Sequence, residues 1–214
     1  MNSIQLTNTL PDVFKGRTDI ASDVWLKDLT FEKGKSYLIE ANSGTGKSSL
    51  FSFLYGYRND YQGQMIFDGH DINHLTIQQW TEIRRNHLSL LWQDLRLFPE
   101  LTAHENVKIK NNLTHFQKKS TIDNWFDQLG IVEKKDTLVG KMSFGQQQRV
   151  ALIRALCQPF DFILLDEPVS HLDDTNAAIM ADILKAEAKD QDAAIIVTSI
   201  GKRLDLEYDF ILKL

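Results

Sequence analysis

At 214 residues, 43% hydrophobic and 25% charged, the chain can bury a substantial single-domain core and is too ordinary in composition for a disordered or fibrous protein. A net charge of −5 argues against broad binding to nucleic acid or an anionic membrane, leaving a local basic patch as the only route to either. Cys157 is the only cysteine, which excludes a disulfide framework and a thiolate metal cluster.

The start of the chain, "MNSIQLTNTL", has neither the basic region nor the apolar core of a secretory signal. The first third reads as β-rich: "SIQLT" (3–7), "DVWLKDLTF" (23–31) and "KSYLIEA" (35–41) alternate or cluster apolar residues, with "EKGK" (32–35) as a turn. After Gly44-Thr45-Gly46 the pattern becomes helical, with Leu50, Phe51, Phe53 and Leu54 at mixed three- and four-residue spacings. "GQMIFDGHDI" (63–72) reads as a strand and turn, and "LSLLW" (88–92) as a short buried strand. Thr102 with Glu105 makes a capping box that starts a helix, and a polar helical region runs on to about Leu129. The last third alternates helix with apolar strand: "GQQQRVALIRALCQ", "FDFILLDE", "DTNAAIMADILKAEAK", "AAIIVTS" and "YDFILKL". Its apolar runs, such as "FILL" and "AAIIV", are far short of the ~20 residues of a membrane span. Apolar strands alternating with helices specify an α/β fold with a mostly parallel sheet covered on both faces.

Two stretches carry chemistry. Residues 41–49, Ala41, Asn42, Ser43, Gly44, Thr45, Gly46, Lys47, Ser48 and Ser49, nearly spell the phosphate loop G-x-x-x-x-G-K-[ST], with alanine at the first glycine. A strand feeding a glycine-rich loop into a helix aims successive N–H groups at one point, where the helix N-terminus adds partial positive charge. Lys47 can reach the β- and γ-phosphates of a nucleotide, and the Ser48 hydroxyl can ligate Mg²⁺. Alanine at 41 costs nothing if its φ is negative. The competing dinucleotide fingerprint fails at its third glycine, where Ser49 stands. In "FILLDEP", Asp166 emerges from the C-terminal end of a buried strand, where it can hold the hydration shell of Mg²⁺, and Glu167 can orient or deprotonate an attacking water.

The stretch "MSFGQQQRVALIRAL" (142–156) resembles the signature of the ATP-binding cassette (ABC) ATPases, L-S-G-G-Q followed by Q-R-V-x-x-A-R-A-L, and the resemblance covers essentially the whole chain. It matches at Ser143, Gly145, Gln146, Gln148, Arg149, Val150 and Arg154-Ala155-Leu156, with Phe144 in place of the commonest glycine. The resemblance implies a P-loop NTPase core over residues 1–214, with an N-terminal antiparallel β subdomain and an inserted helical subdomain at roughly 95–157. It also implies two MgATP sandwiched in a head-to-tail dimer, with the signature closing on the γ-phosphate of the second cassette. Gln93 falls at the Q-loop, contacting Mg²⁺ and water, and Asp173 in "SHLDD" at the D-loop between the cassettes. Phe14 sits where the family places an adenine-stacking aromatic residue, although it could be plain core; Trp25, Trp80, Trp92 and Trp125 read as packing.

One departure bears on turnover. Where the family has a histidine at the γ-phosphate, this chain has Ser199, too short to reach the same point without a bridging water. Losing one preorganised donor costs about 10²- to 10³-fold in rate. The resemblance implies the ATP-binding subunit of a transporter, similar to the lipoprotein-release, macrolide-export and cell-division group. Such a subunit is held at the cytosolic face of the membrane by separate permease subunits, with no nucleic-acid partner. The alternative is a nucleotide-gated regulatory or scaffold cassette with little turnover, favoured by Ser199 and opposed by Glu167.

Overall fold

Two sheets divide the strands according to what their sequences can bury. The computed structural model describes residues 1–214. In chain order the elements are β1 (Ser3–Pro11), β2 (Asp28–Glu32), β3 (Ser36–Glu40), α1 (Lys47–Leu54), β4 (Tyr61–Phe67), β5 (His70–Asp71), α2 (Ile77–Asn86), β6 (Leu88–Leu91), α3 (Ala103–Asn111), α4 (Lys119–Gln128), α5 (Phe144–Leu156), β7 (Phe162–Asp166), α6 (Asp174–Asp190), β8 (Ala194–Ser199) and β9 (Phe210–Lys213). Strands β2-β1-β4-β5 pair antiparallel in one sheet, and β6-β7-β8-β3-β9 form a second sheet that is parallel throughout.

The parallel strands β7 and β8 are buried at every position, as an unbroken apolar run requires when helices cover both sheet faces. In β1, Ile4 and Leu6 face the core while Ser3, Gln5 and Thr7 are only partly covered, which is the alternation of a sheet with one wet face. The two cores meet through the central sheet. Leu38, Ile163, Leu165, Ile195 and Val197 pack toward the helices that follow residue 102, and Ile39, Phe162, Leu164 and Ile196 pack toward α1 and the antiparallel sheet. Thr102 caps α3 as its sequence specifies, its hydroxyl accepting from the Glu105 amide while the Glu105 carboxylate accepts from the Thr102 amide.

One sequence expectation needs correction. The strand expected over 23–31 begins only at Asp28, because Ser22 Oγ accepts from the amides of Val24 and Trp25 and bends the chain there. Leu26 then takes a left-handed φ of 58°, and Val24 and Trp25 are buried without belonging to a strand. The helix α2 was not expected, although Thr76 and Gln79 form a capping box at its start.

Candidate functional site

The parallel sheet aligns the C-terminal ends of its strands in one row. Glu40 of β3 is in register with Ser199 of β8, and Asp166 of β7 with Thr198. The loops after β3, β6 and β7, which carry the phosphate loop, Gln93 and Glu167, therefore leave the sheet along the same edge as Ser199, the last residue of β8, where open α/β sheets bind ligands.

In the phosphate loop, Gly44 and Gly46 have φ of 81° and 99°, which only glycine adopts freely. A Cβ on Gly46 would lie 3.1 Å from Phe14 and 3.2 Å from Trp25, so this glycine also admits two aromatic rings against the loop. A Cβ on Gly44 would meet nothing within 4 Å: its backbone faces open space, as a cradle for a ligand requires. Ala41 is absent from the left-handed region, so the missing first glycine removes no conformation the loop uses. The loop is held by its own bonds, with Thr45 Oγ1 donating to the Asn42 carbonyl (2.9 Å) and Trp25 Nε1 to the Thr45 carbonyl (3.0 Å). Trp25 thus packs as expected, but what it packs is the loop itself. Ser49 accepts from Arg58.

Lys47 is 6% exposed, and its ammonium lies between Glu167 Oε1 (3.4 Å) and the Asn42 carbonyl (3.3 Å). Asp166 is fully buried, and its carboxylate accepts from Ser48 Oγ (3.0 Å) and Thr198 Oγ1 (2.6 Å). Beside it Glu167 has φ of 50°, a region non-glycine residues rarely occupy, and its amide donates to the Thr198 carbonyl at 3.2 Å. Ser199 is 3% exposed; its hydroxyl donates to the Lys202 carbonyl (2.6 Å), and its carbonyl accepts from the Ala41 amide (3.2 Å). A serine has a single O–H donor. With that donor engaged, Ser199 has none left for a phosphate oxygen.

Gln93 is exposed just past β6. The loop after it is tensioned by Leu95 and Arg96, both left-handed at φ of 59° and 46°, and is held by Arg154 of α5, whose guanidinium donates to both of their carbonyls (2.6 and 2.7 Å). At the other end of α5, Ser143 caps the helix. Its hydroxyl accepts from the Gln146 amide and Gln146 Oε1 accepts from the Ser143 amide, so Gln146 is turned back onto its own helix. Ser143 and Phe144 face solvent. A Cβ on Gly145 would stand 3.1 Å from the His171 carbonyl, so glycine lets the loop after β7 lie directly on the helix. Asp173, in that loop, caps α6 by accepting from the Asn176 amide and side chain, and these bonds hold its carboxyl below the usual carboxylate range. Phe14, with the Arg17 guanidinium 5.3 Å above its ring, lines a cavity of about 300 Å³ together with Trp25 and residues 42–45 of the phosphate loop.

Residues 27–170 match the family model described as ABC transporter. The chain belongs to the ABC transporter ATP-binding family. The cassette is 30% identical over 181 residues to the uncharacterized ABC transporter ATP-binding protein YclH of Bacillus subtilis, covering 83% of this chain and 79% of YclH. It is 32% identical over 178 residues to the macrolide export ATP-binding/permease protein MacB of a Shewanella species, covering 81% of this chain and 28% of MacB. Among solved structures it superposes on the dimeric bacterial ABC transporter cassette MJ0796, with a TM-score of 0.76 and 26% identity over 91% of this chain and 87% of the other. The same cassette in a post-hydrolysis state bound to ADP and Pi gives a TM-score of 0.71 at the same identity and coverage. No helix of the cassette is long and apolar enough to cross a membrane.

The sequence overlooked Thr198 and Trp25 as parts of this site. A hydroxyl inside an otherwise apolar buried strand was the available signal for Thr198; nothing local marks Trp25.

Proposed function

We propose that the cassette binds MgATP at this sheet edge, pairs head-to-tail with a second copy and hydrolyses ATP to drive separate permease subunits from the cytosolic face of a membrane. Residues 1–214 act as one nucleotide-binding domain, with residues 95–157 as its helical subdomain. The observation that carries the reading is the meeting of Lys47, Ser48, Asp166 and Glu167 at one edge although Ser48 and Asp166 lie 118 positions apart in the chain.

The donor set suits Mg²⁺. Ser48 Oγ and a buried Asp166 oxygen lie 3.0 Å apart, and no group of three or more histidine, cysteine or acidic side chains competes as a metal cluster. Ser48, Asp166 and Gln93 would hold the ion, with phosphate and water oxygens completing its shell. Bound there, it would neutralise charge on the β- and γ-phosphates. Amides of residues 42–49 cradle the phosphates, Lys47 exchanges its contact with Glu167 for phosphate oxygens, and Phe14 stacks on the adenine. Glu167, released from Lys47, orients or deprotonates the attacking water. Ser143 and Gly145 close on the γ-phosphate of the second copy, with Gln146 bracing their helix end, and Asp173 lies at the interface.

The engaged hydroxyl of Ser199 favours one variant of this reading, in which turnover is slow and the cassette gates or signals through its membrane partner. Size-exclusion of Glu167→Gln at saturating MgATP tests the assembly. The variant is expected to bind MgATP, fail to hydrolyse it and accumulate as a dimer, and Ser143→Arg added to it is expected to return it to monomer with its nucleotide affinity intact. A Glu167→Gln protein that stays monomeric with its membrane partner present would count against the sandwich.

A further inference from the structure

Ser199 and the loop after it are tied to the opposite side of the site by one side chain. Lys202 Nζ donates to the Leu172 carbonyl at 2.6 Å and to Asp174 Oδ1 at 2.9 Å, joining the loop after β8 to the loop between β7 and α6. The Asp174 carboxylate is 99% exposed, so that ion pair is weak, and the contact that anchors the lysine is the one to the backbone carbonyl.

The bonds on either side of Lys202 form a continuous path. The Ala41 amide at the phosphate loop donates to the Ser199 carbonyl (3.2 Å), Ser199 Oγ donates to the Lys202 carbonyl (2.6 Å), and Lys202 Nζ reaches Leu172. Leu172 directly precedes Asp173, and the His171 carbonyl is the atom that a Cβ on Gly145 would strike at 3.1 Å. Through Lys202 the phosphate loop is therefore bonded to the segment that backs the N-terminus of α5 and carries Asp173. We infer that Lys202 is a positioning residue for the composite site, fixing the 171–174 segment, and with it Ser143, in register with the phosphate loop. A cation on this loop makes a connection that the short Ser199 side chain cannot make itself.

This inference rests on the MgATP-sandwich reading above. It is tested in the full chain with Lys202→Met, which keeps the length of the stem and removes every donor, and with Lys202→Arg, which restores a donating cation. The assays are turnover, MgATP affinity by fluorescent-nucleotide titration, and dimer formation by sedimentation in the Glu167→Gln background. Lys202→Met is expected to lower kcat about tenfold and weaken the dimer about tenfold, the scale of one lost charge-assisted hydrogen bond. Its monomer affinity for MgATP should stay within about twofold because the Lys202 ammonium bonds to Leu172 and Asp174 and to no group of the phosphate loop, and Lys202→Arg should recover most of the loss. The inference is overturned if Lys202→Met matches its parent in both kcat and dimerisation. It is equally overturned if nucleotide affinity and melting temperature fall together with dimerisation and arginine rescues nothing, since that is the pattern of a merely structural contact. A Glu167→Gln parent that binds no MgATP would instead sink the site reading itself, and this inference with it.

Discussion

Thr198→Val removes one hydroxyl from beside a carboxylate that has no contact with solvent. Asp166 and Thr198 are both fully buried, and Thr198 Oγ1 donates to Asp166 Oδ1 at 2.6 Å, leaving Ser48 Oγ as the other side-chain donor at 3.0 Å. Valine has nearly the same shape, so the substitution opens no cavity and the cost is that of the bond alone. A hydrogen bond to a charged group contributes roughly 1.5–3 kcal/mol, and a buried charge that loses a partner keeps its desolvation penalty. The variant should therefore be about 2 kcal/mol less stable, which for a chain of this size lowers the melting temperature by roughly 4–8 °C. Urea unfolding without nucleotide reads this directly, as a lower midpoint at unchanged slope. Thr198→Ser, which keeps the hydroxyl, should recover part of the loss. In an Asp166→Asn background the same substitution should cost less, since the acceptor no longer carries charge. Stability of Thr198→Val within about 0.5 kcal/mol of wild type, the range of an inconsequential substitution, would show that this bond does not hold Asp166.

Lys47→Ala should weaken MgATP binding about tenfold or more, because a buried ammonium now shared between Glu167 and the Asn42 carbonyl supplies a charged hydrogen bond of roughly 1.5–3 kcal/mol to the phosphates. Equal affinities of wild type and variant in a nucleotide titration would remove the phosphate-cradle reading. Ser199→His should raise steady-state turnover about tenfold, part of the about 10²- to 10³-fold that one preorganised donor contributes, because an imidazole supplies a donor that the serine, engaged with the Lys202 carbonyl, does not. A fall in turnover, with Glu167→Gln as the inactive control in both backgrounds, would show that the serine's bond to Lys202 matters more than the missing donor.

What was legible in the sequence was local. The phosphate loop, the buried strand ending in Asp166 and the capped helix at Ser143 each depend on residues within a few positions of one another, and backbone sterics and strand or helix periodicity act at that range. The same local reading ran too far at Val24 and Trp25, whose apolar character serves burial and not strand pairing, Trp25 against the phosphate loop. It also passed over α2, where polar residues dilute the apolar positions Trp80 and Ile83 and the start is marked only by Thr76 and Gln79. The doubt over Ala41 was decided by its backbone conformation, which no residue name records. Everything that makes the edge a single site came from parallel pairing. Thr198 meets Asp166 because β7 and β8 share a register, Ala41 meets Ser199 because β3 and β8 do, and Lys202 reaches Leu172 because the loops after β7 and β8 leave the sheet on the same side. Parallel strands must be joined by long crossovers, so the groups that such a sheet brings into hydrogen-bonding distance are necessarily far apart along the chain. Sequence patterns could name those groups; only the sheet could set their distances.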